Sequence, residues 1–137
     1  MEALIRNLLR SDVFRDEPPV CVDIGASGYL PTGWNLLAPH SICVAFDADN
    51  RDFSVEDSTS KGWRRLLKLN RLVAAQSAPA VPFFLTRSPH CSSTLHPDSE
   101  ALRPWAFRRL FEVEREVTLP AVALGETRAW LGVRNVD

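Results

Sequence analysis

Charge of either sign is not in excess in this chain: 16 Lys and Arg stand against 17 Asp and Glu, a net charge of −1 over 137 residues. With no global field to attract a phosphate backbone or an anionic lipid surface, nucleic acid is disfavoured as the main partner. A long hydrophobic run is also missing, so no segment reads as a membrane span. The opening stretch carries Leu4, Ile5, Leu8 and Leu9 around Arg6 and Asn7, which is amphipathic helix spacing and too short and polar for a secretory core. Together these absences predict a cytoplasmic protein with no membrane partner. Cysteine is scarce and odd in number. Cys21 and Cys43 sit inside apolar runs, where small buried thiols are common, and Cys91 lies in a polar stretch, so no disulfide framework is expected. Internal repeats and low-complexity segments are absent.

What is present fits one globular domain over 1–137, since 45% hydrophobic and 24% charged residues suffice for a single buried core. A leading helical segment over 1–15, amphipathic in 1–10, gives way to a polar, proline-bearing link over 15–19. The run Val-Cys-Val-Asp-Ile at 20–24 reads as a short buried strand. Pro31 opens and Pro39 closes a short helix reaching Leu37, and 41–46 forms a second strand. Over 56–75 the residues Trp63, Leu66, Leu67, Leu69, Leu72 and Val73 recur at mostly helical spacing opposite Lys61, Arg64, Arg65, Lys68 and Arg71, which predicts an amphipathic helix with a solvated basic face. A third strand over 81–86, a turn-rich loop over 88–97, a helix over 102–110, an alternating strand over 113–119 and a short helix over 127–132 complete the reading. Strands alternating with helices predict an α/β fold with a mainly parallel sheet and helices on both faces. Ligands in such sheets bind beyond the carboxyl ends of the strands.

The most informative stretch follows the first strand, at Asp23-Ile24-Gly25-Ala26-Ser27-Gly28. Glycines there admit positive φ and let backbone approach a ligand, although a glycine pair alone is as well explained by a strand-to-helix turn. Asp47, which closes the next strand, adds weight, because a carboxylate at that place accepts hydrogen bonds from both hydroxyls of a ribose. Asp49 beside it reads first as a turn or helix-start residue. The glycines do not complete the Gly-x-Gly-x-x-Gly dinucleotide fingerprint, and no Gly-Lys-Ser/Thr loop for a triphosphate occurs. A nicotinamide-dependent oxidoreductase is disfavoured on that ground. A nucleoside ligand without a pyrophosphate suits the turn better, and S-adenosylmethionine is one.

At these residues the chain resembles the FkbM-like S-adenosylmethionine-dependent methyltransferases. Val22-Asp23-Ile24-Gly25-Ala26-Ser27-Gly28 is similar to their first motif. Val44-Ala45-Phe46-Asp47-Ala48-Asp49 resembles the second, where glutamate is more usual at the acid and a proline often follows. Phe84 to Leu95, containing Leu85-Thr86-Arg87-Ser88-Pro89-His90-Cys91-Ser92-Ser93, is similar to the Leu-Thr-Arg-x-Pro-x-Cys-Ser-Ser segment of one subgroup, and Leu110-Phe111-Glu112-Val113 continues the likeness. The resemblance covers most of the chain from about Cys21 onward. It implies a Rossmann-like methyltransferase sheet, with Asp23 and the backbone of Gly25, Ala26, Ser27 and Gly28 near the methionine moiety and Asp47 on the ribose. It also implies a loop of Cys91, Ser92 and Ser93 beside the pocket, and an oxygen acceptor on a small or carbohydrate-like molecule. The family pattern runs on past the position of Asp137, so the resemblance implies that this chain is the cofactor-binding portion, with an uncovered sheet edge through which copies associate. The alternative is a non-catalytic nucleoside-binding or interaction module of the same ancestry.

Other chemistry is weaker. His90, Cys91 and His96 lack a fourth zinc ligand at a recognised spacing, so no metal is expected, and Cys91 with His96 as nucleophile and base has no spacing to support it. Trp34, Trp63, Trp105 and Trp130 read as core or interface anchors.

Overall fold

The computed structural model describes residues 2–26, 32–51 and 62–131; the expected Ser27 and Gly28 of the glycine turn, most of the predicted 56–75 helix before Gly62, and the end of the last helix lie outside them. The leading segment forms two helices, α1 (Glu2–Leu9) and α2 (Asp12–Asp16), parted at Arg10 and Ser11. In α1 Leu9 is buried, while Leu4 and Leu8 are exposed.

Strands β1 (Val20–Ile24), β2 (Ile42–Phe46) and β3 (Arg65–Leu69) make a parallel sheet in the order β1-β2-β3. Its two faces are apolar. Cys21, Cys43, Ala45 and Leu66 pack with Ala26, Ala38, Trp34 and Trp63 on one side, and Val20, Val44, Phe46, Leu67 and Leu69 with Val73 and Val122 on the other. A sheet covered on both faces needs near-continuous apolar strands. That explains why Arg-Leu-Leu-Lys-Leu at 65–69, expected to be helical, is strand: Leu66 serves one face while Leu67 and Leu69 serve the other. On a helix these leucines would form a single stripe, and the same spacing satisfies both descriptions. Asn70 then turns the chain, its Nδ2 donating to the carbonyls of Asp47 (2.8 Å) and Ala48 (3.1 Å).

The second sheet has the order β4-β6-β5, from β4 (Leu72–Ala74), β5 (Ala78–Thr86) and β6 (Val113–Ala123). Strand β4 runs parallel to β6, and β5 antiparallel to it. The expected single, mainly parallel sheet is therefore two three-stranded sheets, one parallel and one mixed. Between β5 and β6 the chain folds back through short turns in 87–112, with no helix to carry it across the sheet, and the two strands pair antiparallel. Pro79 and Pro82 are tolerated because β5 is an edge strand, and Pro120 lies across from the register shift between Ala78 and Val81.

The predicted 102–110 helix is replaced by a single turn, α3 (Ser99–Leu102), and a 3-10 turn at Arg108–Phe111. Asp98 caps α3, accepting from the Glu100 and Ala101 amides at 3.0 Å each. Pro104 has no N–H to continue the ladder, and Trp105, Phe107 and Leu110 find no surface to bury against: Trp105 stacks on Phe107 at 5.5 Å and stays 55% exposed. Trp105 is thus not a core anchor. Trp63 is buried and Trp34 packs against it at 5.8 Å. Replacing Asp98 by alanine removes both cap bonds and is expected to cost about 1 kcal/mol, read as a lower urea midpoint with unchanged slope.

The chain's last described element is α4 (Leu124–Leu131), starting where Ser77 Oγ accepts the Ala123 amide (2.8 Å) and donates to Glu126 (2.6 Å). Within it Thr127 is 1% exposed and its hydroxyl finds no hydrogen-bond partner. Valine has the same shape without the polar atom, so Thr127→Val is expected to raise stability by about 1 kcal/mol, measured by urea unfolding; an equal or lower midpoint would mean the hydroxyl is satisfied in solution.

Candidate functional site

The carboxyl ends of β1 and β2 open onto a cleft of about 320 Å³ between the two sheets. Its described lining comes from the ends of those strands (Ile24, Gly25, Phe46, Asp47, Ala48, Asp49), the start of the second sheet (Arg71, Leu72, Val73, Phe83) and the loop after β5 (Pro89, His90, Ser92). The volume lies in the range of small-molecule sites. Their position matches the place where open α/β sheets hold ligands.

Gly25 adopts φ +78°, the left-handed region, and an added Cβ would meet nothing within 4 Å. Its glycine is thus required by backbone conformation and not by crowding. Both the Gly25 and Ala26 amides donate to the Phe46 carbonyl, at 2.8 and 3.0 Å, so they tie the turn to β2 instead of facing the cleft. Gly25→Ala is accordingly expected to cost about 1–2 kcal/mol through strain alone, measured by thermal melting.

Asp47 Oδ1 accepts the Asp49 amide at 2.7 Å. This Asx turn orients the Asp47 carboxylate at the mouth of β2. Asp49 is 4% exposed and carries more of the architecture than a turn residue does. Arg51 grips it with a forked guanidinium, Nε to Oδ1 at 2.9 Å and Nη2 to Oδ2. Nη2 also donates to the Thr86 carbonyl (2.7 Å) and Nη1 to Glu114 (3.2 Å). Ser92 completes the cluster: its hydroxyl donates to Asp49 Oδ2 (2.9 Å) and accepts the Thr86 amide (3.1 Å). Burial pushes the Asp49 carboxyl up, but hydrogen bonds from the Arg51 side chain and backbone and from Ser92, with the Arg51 charge, outweigh it and hold the group below the ordinary carboxylate range.

The Cys-Ser-Ser loop thereby acquires a physical role. Ser92 anchors it to the acidic turn after β2, and Ser93 bridges to β5 by reciprocal backbone bonds with Phe84 at 2.8 and 3.2 Å. Cys91 is half-buried and does not line the cleft. His96 packs edge-on against Phe84 at 4.9 Å. Among the described residues no three His, Cys, Asp or Glu side chains gather to hold a metal.

Of the residues singled out from the sequence, the structure brings Gly25, Asp47 and Ser92 to one cleft. Asp23, Ala26, Cys91 and Ser93 do not line it. Asp23 follows Cys21 on one face of β1, where burial raises its carboxyl above the usual range. The neighbouring thiols are raised too. Cys43 is pushed up to about 12, by burial first and then by the charges of Cys21 and Asp23, and Cys21 upward by burial and then by the Asp23 charge, against a hydrogen bond with Cys43 that lowers it. Both thiols are expected to resist a thiol reagent at neutral pH in the folded protein, while Cys91 reacts. Rapid native-state labelling of all three would contradict this. Arg71 and His90 line the cleft without having been foreseen there; Arg51, which braces Asp49 beside it, had no signal beyond the carboxylates of Asp47 and Asp49 just upstream.

Compared with family models, with curated proteins and with solved structures, the chain matches none. The class that the fold defines is α/β, and no helix among the described residues is long and apolar enough to cross a membrane.

Proposed function

We propose that the chain is the cofactor-binding portion of an S-adenosylmethionine-dependent methyltransferase of the FkbM-like kind, built on a Rossmann-like sheet and acting at oxygen on a small or carbohydrate-like acceptor. The supporting observation is convergence. Three stretches distant in sequence, the Gly25 turn, the Asp47 carboxylate and the Ser92 loop, line one cleft at the carboxyl ends of parallel strands. They are three of the four stretches on which the resemblance rests; Leu110 to Val113 is not part of the cleft's described lining. In this reading Asp47, already oriented by the Asp49 amide, accepts the ribose hydroxyls, and the side-chain-free Gly25 gives the methionine moiety room. Bound cofactor supplies an electrophilic methyl group. The chain's own contribution is orientation, since a methyl transfer gains much of its rate from an in-line near-attack geometry.

The test is isothermal titration with S-adenosylhomocysteine. Wild-type protein is expected to bind, and Asp47→Ala to bind about tenfold or more weakly through loss of charge-assisted hydrogen bonds. A folded protein that gives no heat, or an Asp47→Ala variant that binds as tightly, would remove this reading. The alternative, a non-catalytic interaction module, draws on one observation: among the described residues β1 has a strand partner on one side only. An open edge of this kind recruits a further strand, so concentration-dependent dimerisation is expected, and sedimentation as a strict monomer at high concentration would count against it.

A further inference from the structure

A second cleft, of about 340 Å³, is lined by the leading helices, the 3-10 turn at Ala38–His40 and Arg64, and shares no described lining residue with the first. Its apolar floor comes from Leu9, Phe14 and Pro39, its charge from Arg10, Arg15, Arg64 and His40, and no carboxylate is among its described lining residues. These cations are not equivalent. Arg15 is already held by Asp12 (2.9 Å) and Asp16 (3.3 Å), so its charge is largely spent. Arg64 uses Nη1 on the Arg15 carbonyl (3.0 Å) and the Phe14 carbonyl (3.5 Å), while its backbone amide donates to Ala38 (2.9 Å). It thus fixes α2, the 3-10 turn at Ala38–His40 and the lead into β3 around one space, with Nε and Nη2 left over. The side chains of Arg10 and His40 make no hydrogen bond or ion pair among the described residues. Cations beside an apolar floor match a ligand with an anionic end and a hydrophobic body: guanidinium groups bind phosphate and carboxylate through paired N–H bonds, and a neighbouring apolar surface excludes competing water.

We propose that this cleft binds an oxyanion, a phosphate monoester or carboxylate, carried on a small apolar body, with Arg10, His40 and Arg64 taking the anion and Leu9, Phe14 and Pro39 the body. The proposal does not depend on the methyltransferase reading, because no lining residue is shared.

Phenyl phosphate is the probe, titrated calorimetrically into the full chain at low salt. One saturable site is expected, with affinity falling as salt rises. Arg10→Gln, which removes no side-chain hydrogen bond or ion pair among the described residues, is expected to weaken binding about tenfold, and inorganic phosphate, lacking the ring, to bind more weakly than phenyl phosphate by a similar factor. Arg71→Gln, in the first cleft, is expected to change nothing. Absence of saturable binding by folded protein, unchanged affinity in Arg10→Gln, or loss on Arg71→Gln would each overturn the assignment. Equal affinity for inorganic phosphate would overturn the role given to the apolar floor.

Discussion

Replacing Arg51 by alanine is expected to lower the unfolding free energy by about 3 kcal/mol, because it strips a nearly inaccessible carboxylate of its counter-charge. The side chain of Asp49 is 5% exposed and that of Arg51 28%, so the pair is screened far less than a surface ion pair. Arg51 also holds the Thr86 carbonyl, and so links the turn after β2 to the end of β5, one sheet to the other. Arg51→Lys keeps the charge but cannot reproduce the fork and is expected to recover less than half the loss. Glu114→Gln, which cuts only the exposed arm of the cluster, is expected to cost under about 0.5 kcal/mol. In the double variant Asp49→Asn with Arg51→Ala, much of the loss returns, since no buried charge is then left alone. The sign of the pH dependence follows from the same cluster. In wild type the Asp49 carboxyl lies below its unfolded value of 3.8, so its contribution is present above that pH and is lost as pH falls through the folded value. Without Arg51, burial dominates and raises the group; its contribution then reverses, and stability falls as pH climbs from acid toward neutral. Urea unfolding at several pH values reads both effects. A loss under 0.5 kcal/mol for Arg51→Ala would show that the cluster is solvated and does not join the sheets.

How much of this was legible depends on how uniquely a pattern maps onto structure. The strand at Val20–Ile24 appears with the expected bounds, and that at Ile42–Phe46 within one residue, because both are short β-branched or apolar runs closed by turn residues, and no helix of that length would bury them. The strands expected over 81–86 and 113–119 extend to Ala78 and Ala123; the extensions contain Pro79 and Pro120, which only an edge position and a register shift admit. Within the stretch expected to be helical over 56–75, the described part forms strands at Arg65–Leu69 and Leu72–Ala74, because leucines serving both faces of a covered sheet imitate a helical stripe. The 102–110 helix fails for a different reason. Periodicity there exists without a surface to receive it, and the aromatic side chains pack on one another.

The site divides in the same way. Gly25 and Asp47 could be read from the sequence because their roles are local: a left-handed turn after one strand and an acid at the end of the next. Asp49 and Ser92 gain theirs from a contact across 43 positions, and Arg51 from one across 35, distances over which sequence spacing says nothing. The raised carboxyl of Asp23 is a further consequence of packing. As its neutral form is the one favoured in the folded state, Asp23 costs stability at neutral pH, and Asp23→Asn is expected to raise the urea midpoint at pH 7 while leaving it nearly unchanged at pH 3.

Phe46→Ala is expected to be the most damaging single core change, about 3–5 kcal/mol, which for a domain of this size is a large part of the whole. The ring is 1% exposed and fills the space between Val20, Val44 and Val122, so it joins the parallel sheet to the second one. It also forms part of the first cleft's wall. Its carbonyl accepts the Gly25 and Ala26 amides, and that backbone role survives any side-chain change. Side-chain and backbone contributions are therefore separable. Phe46→Leu keeps most of the volume and is expected to cost about 1.5 kcal/mol or less, leaving the glycine turn and the Asp47 carboxylate in place. If the first cleft is the cofactor site, Phe46→Leu should retain S-adenosylhomocysteine binding to within a fewfold while lowering thermal stability, whereas Asp47→Ala should do the reverse. Thermal melting and calorimetric titration of the two variants side by side distinguish a residue that holds the cleft together from one that reads its ligand. Loss of binding in Phe46→Leu at a temperature where it remains folded would mean that the ring itself touches the ligand.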